Sequence, residues 1–147
     1  MSLEINNVTK SKIDEKELLR LFKRAINVLK LKSVGVSLAF ISELEIKKLN
    51  KIYRGKNKVT DVLSFGSRDI NELLFSKFPE EKDFLGEIVI CPKFAATKSK
   101  LFNLSNEMML NKLFVHGLVH LVGYDHEKSE KEAVEMEKLE EKILNRD

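Results

Sequence analysis

The chain has 147 residues, of which 43% are hydrophobic and 33% are charged, a balance typical of one globular domain with a proper core. It contains no apolar run long enough to span a membrane, no signal-peptide pattern at its start, and a single cysteine, which excludes an internal disulfide. We therefore expect one cytoplasmic domain covering residues 1–147. Cys91 follows the apolar run Ile88-Val89-Ile90 and is predicted to be a small core residue.

The net charge of +3 is unevenly distributed along the chain. Residues 1–70 carry 15 basic and 8 acidic side chains, a net of +7, whereas residues 71–147 carry 11 and 15, a net of −4. The basic run, residues 47–58, contains no acidic side chain, and its cations are Lys47, Lys48, Lys51, Arg54, Lys56 and Lys58. Such a run suits a polyanion. A solvated helix face followed by a solvated loop would explain the charge equally well.

Hydrophobic periodicity and helix-start signals predict the first half of the fold. Residues 3–8 are predicted to form an edge strand. Asp14, with Glu17 three residues later, is predicted to cap a helix of about 15 residues. After Gly35, residues 36–41 alternate as expected for a strand. Ser42 and Glu45 form a second capping box, which opens a helix that runs to about residue 53.

The second half is predicted to contain two short strands and further helices. Residues 61–65 and 86–91 are the strands, and Pro92 ends the second. The connection between Gly66 and Leu85 is unusually long, so we expect a lid, a mobile flap or partial structure. Within it, a short helix is favoured by Ile70, Leu73, Leu74 and Phe78.

A helical region is predicted from Phe94 onward and leads to the histidines. The charged C-terminal segment should form a last helix, docked through Met136, Leu139 and Ile143. The order β-α-β-α-β-β-α-α predicts an α+β fold, in which helices pack on a small mixed sheet.

All three histidines of the chain fall within eleven residues, at His116, His120 and His126. The first two are four residues apart and should share one face of a helix. Gly123 can end that helix and let the chain bring His126 to the same point. Three converging imidazoles leave a fourth position open on a tetrahedral metal, which is the pattern of a catalytic zinc site.

The spacing of the histidines and of Gly123 matches the metzincin pattern H-E-x-x-H-x-x-G-x-x-H, so the predicted metal-site helix is zincin-like. Gly117 stands where the protease glutamate would be. Zinc is the expected metal, although other divalent transition metals also suit imidazole. A zinc ion held by three histidines can lower the pKa of a bound water to about 7.

Several other residues have both a functional and a structural interpretation. Tyr53 could stack an unpaired base or be a boundary aromatic. Asp125 could orient a histidine or cap the last helix. Thr60 and Asp61 could organise the mouth of the site or simply begin a strand, and Ser64 could reach a phosphate or satisfy the strand backbone.

Three stretches of the chain together resemble the YbeY family of bacterial metal-dependent endoribonucleases and ribosome-maturation factors. They are residues 50–56 running into Thr-Asp-Val-Leu-Ser-Phe at 60–65, Leu-Gly-Glu-Ile-Val-Ile at 85–90, and the histidine motif. The resemblance implies cleavage of single-stranded RNA, maturation of the 3′ end of the small-subunit ribosomal RNA, and ribosome quality control. The implied partners are ribosomal RNA and the ribosome or its proteins. The oligomeric state is left open.

The resemblance also assigns residues. The family's metal ligands correspond to His116, His120 and His126, and its functional arginine corresponds to Arg54. We therefore predict Arg54 and His116 as catalytic residues, with Arg54 gripping a phosphate and His116 acting through the metal. Lys48, Lys56 and Tyr53 are predicted to bind substrate beside Arg54. The alternative for Arg54 is one more surface cation of the basic run.

The chain departs from the family pattern at two positions. Glu87 stands where the family usually has aspartate, and Gly66 where a proline commonly follows the phenylalanine. Two other functions remain open from the sequence. One is a metalloprotease or other metal hydrolase, which the missing glutamate disfavours. The other is a ribosome assembly factor whose metal is structural.

Overall fold

The structure, a computed structural model, describes residues 2–32, 34–67, 75, 84–124 and 128–145. The described residues form four strands and five helices. Strands and helices alternate over the first four elements, and two strands followed by three helices complete the chain. In chain order they are β1 (Ser2–Asn7), α1 (Glu15–Val28), β2 (Gly35–Phe40), α2 (Glu43–Arg54), β3 (Val62–Gly66), β4 (Phe84–Ile90), α3 (Pro92–Leu101), α4 (Asn106–Leu121) and α5 (Glu130–Leu144). The predicted α+β fold is confirmed.

The four strands form one mixed sheet in the order β1-β2-β4-β3. β1, β2 and β4 are parallel, and β3 runs antiparallel to β4. β1 lies at an edge, as predicted. The alternation predicted for β2 does not appear in its burial, because this central strand is buried at all six positions. Helices cover both faces of the sheet, so even Ser37 is buried.

The helix starts follow their capping residues. The Asp14 side chain accepts a hydrogen bond from the main-chain nitrogen of Glu17, and the Ser42 hydroxyl accepts one from that of Glu45. Both caps were predicted from the sequence. Each satisfies a main-chain donor that the first helical turn leaves without an intrahelical partner.

Two apolar clusters hold the helices on the sheet. The larger one joins α1, α4 and α5 to the face formed by Val36, Leu38, Phe40, Ile88 and Ile90. The smaller one lies on the opposite face, where Ile46 of α2 packs with Ala39, Leu63, Phe65 and Val89. α4 contacts β3, β4, α1, α3 and α5. It is therefore the element that the rest of the fold holds in place.

The helical region predicted as one stretch from residue 94 to the histidines is two helices. Asn103 adopts a left-handed conformation, with φ of 57°, and the Ser105 hydroxyl caps α4 by accepting from the Met108 main chain. Asparagine tolerates this conformation better than most residues. The corrected order ends in three helices.

Across the described part of the chain, none of the helices combines the length and the apolar character that crossing a membrane requires.

Candidate metal centre

The two histidines of the predicted helical pair lie near the end of α4. His116 and His120 are half-buried, while Val115, Gly117 and Val119 between and beside them are buried. Residues four apart stand on one face of a helix. The structure thus places both imidazoles on one partly open face of a helix whose other side is packed in the core, as the sequence predicted.

α4 ends where the glycine was expected to end it. Gly123 has φ of 117°, a conformation that an L side chain rarely adopts, and its main-chain nitrogen donates to the His120 oxygen at 3.0 Å. The Tyr124 nitrogen donates to the Val119 oxygen at 3.4 Å. Asp125 and His126 follow directly and lie outside the described residues, so the convergence of the third histidine stays a prediction.

The two histidines have different surroundings. The Nδ1 atom of His116 lies 2.5 Å from Oε1 of Glu140 on α5. The Nδ1 atom of His120 is buried and has no hydrogen-bond partner among the described residues. A buried polar atom of this kind costs free energy unless something satisfies it.

This donor set fits a histidine-bound metal. Imidazole nitrogens are good ligands for zinc, and metal-binding histidines usually donate their other ring nitrogen to a carboxylate or carbonyl oxygen. His116 has such a carboxylate in Glu140. Within the described residues, no group of three His, Cys, Asp or Glu side chains could hold a metal. A complete site would need a ligand from outside the described residues, and His126 stays the predicted one.

Gly117 packs α4 tightly onto the sheet. A Cβ atom at this position would lie 2.9 Å from Cγ2 of Ile88, 3.1 Å from its Cδ1 atom and 3.1 Å from Oγ of Ser64. These distances are shorter than ordinary van der Waals contacts, so the neighbours would have to move. A glutamate, which a protease would carry here, would force the Ile88 and Ser64 side chains or α4 itself to shift.

Arg54 is exposed, yet it is held against β3. Its Nη2 atom donates to the main-chain oxygen of Ser64 at 2.8 Å, and its Nη1 atom to the Tyr53 oxygen at 3.3 Å. The guanidinium carbon lies 5.0 Å from the ring centroid of Phe65, within cation–π distance. Arg54 is thus an ordered cation at the edge of the sheet, more constrained than a solvated member of the basic run.

Ser64 connects Arg54 to the histidine helix. Its main-chain oxygen accepts from Arg54, while its side chain points toward Gly117, the residue after His116. The structure therefore brings Arg54 and Gly117 of the histidine-bearing helix α4 to a single residue of β3.

The other predicted substrate-binding residues lie around the end of α2. Lys48 and Lys56 are exposed, and the Tyr53 ring is 37% exposed and packs on Phe65 with ring centroids 5.2 Å apart. Tyr53 is thus the boundary aromatic of one interpretation, with a face still open to solvent. The buried Asn50 side chain donates to the Lys58 oxygen at 3.0 Å and fixes the loop that follows α2.

Thr60 and Asp61 have structural contacts. The buried Asp61 carboxylate accepts from the Val62 main chain at 2.8 Å and from Lys98 of α3 at 2.7 Å. The Thr60 hydroxyl lies 3.4 Å from the same carboxylate. These bonds match the interpretation of a strand start, here tied to α3.

Most of the connection between Gly66 and Leu85 lies outside the described residues, including the predicted short helix. Phe75 is described, and its main-chain nitrogen donates to Oε1 of Glu87 at 2.9 Å. Glu87 is fully buried in β4. The residue at which the chain departs from the usual aspartate therefore anchors this connection to the sheet.

A cleft of about 1190 Å³ lies away from these residues, at the carboxyl ends of β1 and β2. Its charged lining residues are Lys10, Lys12 and Lys93 together with Asp14, Glu43 and Glu107, so the lining carries no net charge. None of the predicted site residues lines it. The cleft and the residues predicted from the sequence therefore indicate different surfaces of the protein.

Sequence reasoning missed Glu140. It considered Asp125 as the carboxylate that orients a histidine, because that residue is adjacent to His126 in the sequence. Glu140 is 24 residues from His116 and stands among many glutamates of α5. Its one distinguishing signal is its position on the apolar side of the helix, four residues after Met136 and three before Ile143.

Comparisons with known proteins identify the family of the chain. The family model described as Endoribonuclease YbeY matches residues 4–146. A protein named Endoribonuclease YbeY from Alkaliphilus metalliredigens is 40% identical over 151 residues, covering 98% of this chain and 94% of the relative. Another of that name, from Thermodesulfovibrio yellowstonii, is 44% identical over 110 residues, covering 75% of this chain and 65% of the relative.

A solved structure is also similar. The solution structure of TM1509 from Thermotoga maritima has 30% sequence identity and a TM-score of 0.62, covering 97% of this chain and 89% of that one. The family model, the relative from Alkaliphilus metalliredigens and the solved structure each match nearly the whole length of this chain. The chain belongs to the Endoribonuclease YbeY family.

Proposed function

We propose that the chain is a metal-dependent endoribonuclease that cleaves single-stranded RNA. Its substrate is ribosomal RNA, with maturation of the small-subunit 3′ end and ribosome quality control as its roles in the cytoplasm. Membership of a family named for endoribonuclease activity supports the reaction class. The ribosomal substrate rests on the family resemblance.

The observation that carries the proposal is the position of Ser64 between Arg54 and the histidine helix. Hydrolysis of a phosphodiester needs a cation that holds the phosphate close to the group that activates the attack. Arg54 and His116 come from elements far apart in the chain, α2 and α4. Arg54 contacts Ser64, and Gly117, the residue after His116, packs beside the same Ser64, which supports one site formed by both elements.

Arg54 would bind the phosphate. A guanidinium has five N–H donors, and the two hydrogen bonds to Ser64 and Tyr53 use only part of this set. Its contacts with Ser64 and Phe65 restrict the side chain before substrate arrives, so less rotamer entropy is lost on binding. From this position Arg54 offsets the negative charge that grows on the phosphoryl oxygens during the reaction.

His116, His120 and His126 would hold the metal, with zinc as the expected ion. When bound, the ion supplies Lewis-acid chemistry, by lowering the pKa of water and polarising a phosphoryl oxygen. Glu140 holds one ring nitrogen of His116 and leaves the other for the metal. The half-buried position of both described histidines keeps one side open to substrate.

The basic run would guide the rest of the RNA. Lys48 and Lys56 are exposed. Between them in the sequence, Ile52 is 70% exposed and Tyr53 37% exposed, so both present apolar surface to solvent. Cations bind phosphates, while a half-open aromatic ring stacks an unpaired base. This combination favours a single strand, whose bases are accessible, over a duplex.

The packing at Gly117 disfavours the metalloprotease alternative. A general base at this position is the group that activates water in that class. Here the space that its side chain would need is taken by Ile88 and Ser64. The Ser64 side chain in this packing belongs to the strand residue whose main-chain oxygen binds Arg54.

The test is cleavage of RNA by the purified protein, with and without a metal chelator. The substrates are a single-stranded fragment carrying the small-subunit 3′ end, an unrelated single strand of equal length, and the same fragment annealed to its complement. We expect chelator and His116→Ala to abolish cleavage of single strands, with loss of bound metal in both cases. A chelated protein or a His116→Ala variant that cleaves at the wild-type rate would refute metal dependence.

A further inference from the structure

A contact between Glu140 and His116 links α5 to the predicted metal-binding helix α4. Oε1 of Glu140 and Nδ1 of His116 are 2.5 Å apart. Because an ionised carboxylate only accepts hydrogen bonds, the proton of a neutral His116 ring belongs on Nδ1. Nε2 then carries no proton, which is the form of an imidazole nitrogen that binds a metal.

The way α5 packs on the protein places Glu140 beside His116. Met136 and Ile143 of α5 are buried against the body of the protein, and Glu140 lies four residues after the first and three before the second. It therefore shares their face of the helix. The neighbouring Glu137 and Glu141 are exposed. Docking of α5 thus fixes one carboxylate of an acidic helix beside His116.

We propose that Glu140 is a positioning residue that sets the affinity of the metal site. It fixes the orientation and the tautomer of His116, so that the ring does not have to be ordered when metal binds. The inference rests on the proposed metal dependence. Carboxylates that orient metal-binding histidines typically change metal affinity by about 10–100-fold when they are removed.

A purely structural role for Glu140 predicts a different result. If the contact only docks α5, its loss would lower the stability of the metal-free protein and leave the affinity of the folded site unchanged. Metal affinity and the tautomer of His116 therefore separate the two roles, whereas activity alone would not.

The experiment measures the dissociation constant for Zn²⁺ by competition with a chromophoric chelator. It compares wild type, Glu140→Ala, Glu140→Gln and the exposed control Glu137→Gln. We expect Glu140→Ala to weaken binding about 10–100-fold, Glu140→Gln to have a smaller effect, and Glu137→Gln to match wild type. Nitrogen NMR of the metal-free proteins should show the Nδ1–H tautomer of His116 in wild type and its loss in Glu140→Ala.

The outcomes distinguish this inference from the proposed function. A wild-type protein that does not bind Zn²⁺ refutes metal dependence and removes the basis of the inference. A wild-type protein that binds Zn²⁺, together with Glu140 variants of unchanged affinity and tautomer, refutes the inference alone. Should Glu140→Ala fail to fold, the near-isosteric Glu140→Gln gives the same comparison.

Discussion

Arg54 and Ser64 are joined by a hydrogen bond of 2.8 Å from the guanidinium to the main-chain oxygen. Because the acceptor belongs to the backbone of β3, no side-chain substitution at Ser64 removes it. The bond fixes Arg54 relative to β3, and β3 in turn contacts α4. The geometry of the proposed site therefore depends on how β3 sits between α2 and α4.

The first prediction concerns Arg54. Arg54→Glu should lower kcat/KM for single-stranded RNA by about 10²–10³-fold, because the variant repels the phosphate that arginine would stabilise. Metal content should stay at the wild-type level. Arg54→Lys keeps the charge but loses the planar fork, so it should recover only part of the activity. Steady-state cleavage and metal analysis measure these effects.

The matched control for this reversal is Lys23→Glu, at an exposed cation of α1 outside the basic run. It should cleave like wild type. The melting temperature of Arg54→Glu should change little, because the bonds it loses are at the surface. Equal loss of activity in Lys23→Glu would mean that overall charge, and not the position of Arg54, governs the reaction.

The second prediction concerns binding by the basic run. Lys48→Ala and Lys56→Ala should each weaken binding of single-stranded RNA modestly and reduce the slope of log affinity against log salt by about 0.7 per lost phosphate contact. Lys23→Ala should not alter the slope. Fluorescence anisotropy over a salt series, with chelator present to prevent cleavage, measures it. Unchanged slopes would show that the run is only a solvated surface.

Local signals in the sequence were sufficient for much of the fold. The Asp14 and Ser42 caps, the edge position of β1 and the buried stripe of α5 each depend on side-chain chemistry within a few residues. The break between α3 and α4 also had a local signal, in Asn103 and the capping Ser105. It was missed because the apolar periodicity continues on both sides of the break.

Other features depend on contacts between distant parts of the chain. The complete burial of β2 follows from helices on both faces, which the pattern of one strand does not show. Arg54 could be singled out from a motif, but its contact with β3 is to a main-chain oxygen, which a pattern of side chains does not show. Glu140 was hidden for a similar reason, since its partner is 24 residues away.

The third prediction concerns Cys91, which is buried at the start of α3. Burial raises the pKa of the Cys91 thiol above its ordinary value, since the charged thiolate is disfavoured away from water. The unfolded chain then loses its proton first as pH rises. The contribution of Cys91 to the free energy of unfolding is therefore complete below the pKa of the thiol in the unfolded chain, about 8.5. It is lost as pH rises through that value toward the higher pKa of the folded state.

The measurement is urea unfolding of wild type and Cys91→Ala between pH 7 and 10. The free energy of unfolding of wild type relative to the variant should be constant up to about pH 8 and then fall by up to about 1.4 kcal/mol per pH unit. Other titrating groups are common to both proteins and cancel in the difference. A difference that does not vary with pH would contradict the raised pKa.

The last prediction concerns Gly117. Gly117→Ala improves helix propensity by up to about 1 kcal/mol, but its methyl group would lie 2.9 Å from Cγ2 of Ile88. Overpacking of a core typically costs about 1–3 kcal/mol, so with the propensity gain subtracted the variant should be less stable by up to about 2 kcal/mol. Relief of the contact by shifting α4 would carry His116 and His120 away from Arg54. RNA cleavage should therefore fall as well.

A double-mutant cycle with Ile88→Ala separates crowding from other causes. Ile88→Ala removes two of the three atoms that the new methyl group would meet and leaves Oγ of Ser64, so adding Gly117→Ala in that background should cost less than in wild type. Urea unfolding of the four proteins gives the coupling energy. Additive effects, or a Gly117→Ala protein as stable and active as wild type, would show that α4 has room at this position. The absence of a glutamate after His116 would then need an explanation other than the close approach of α4 to the sheet.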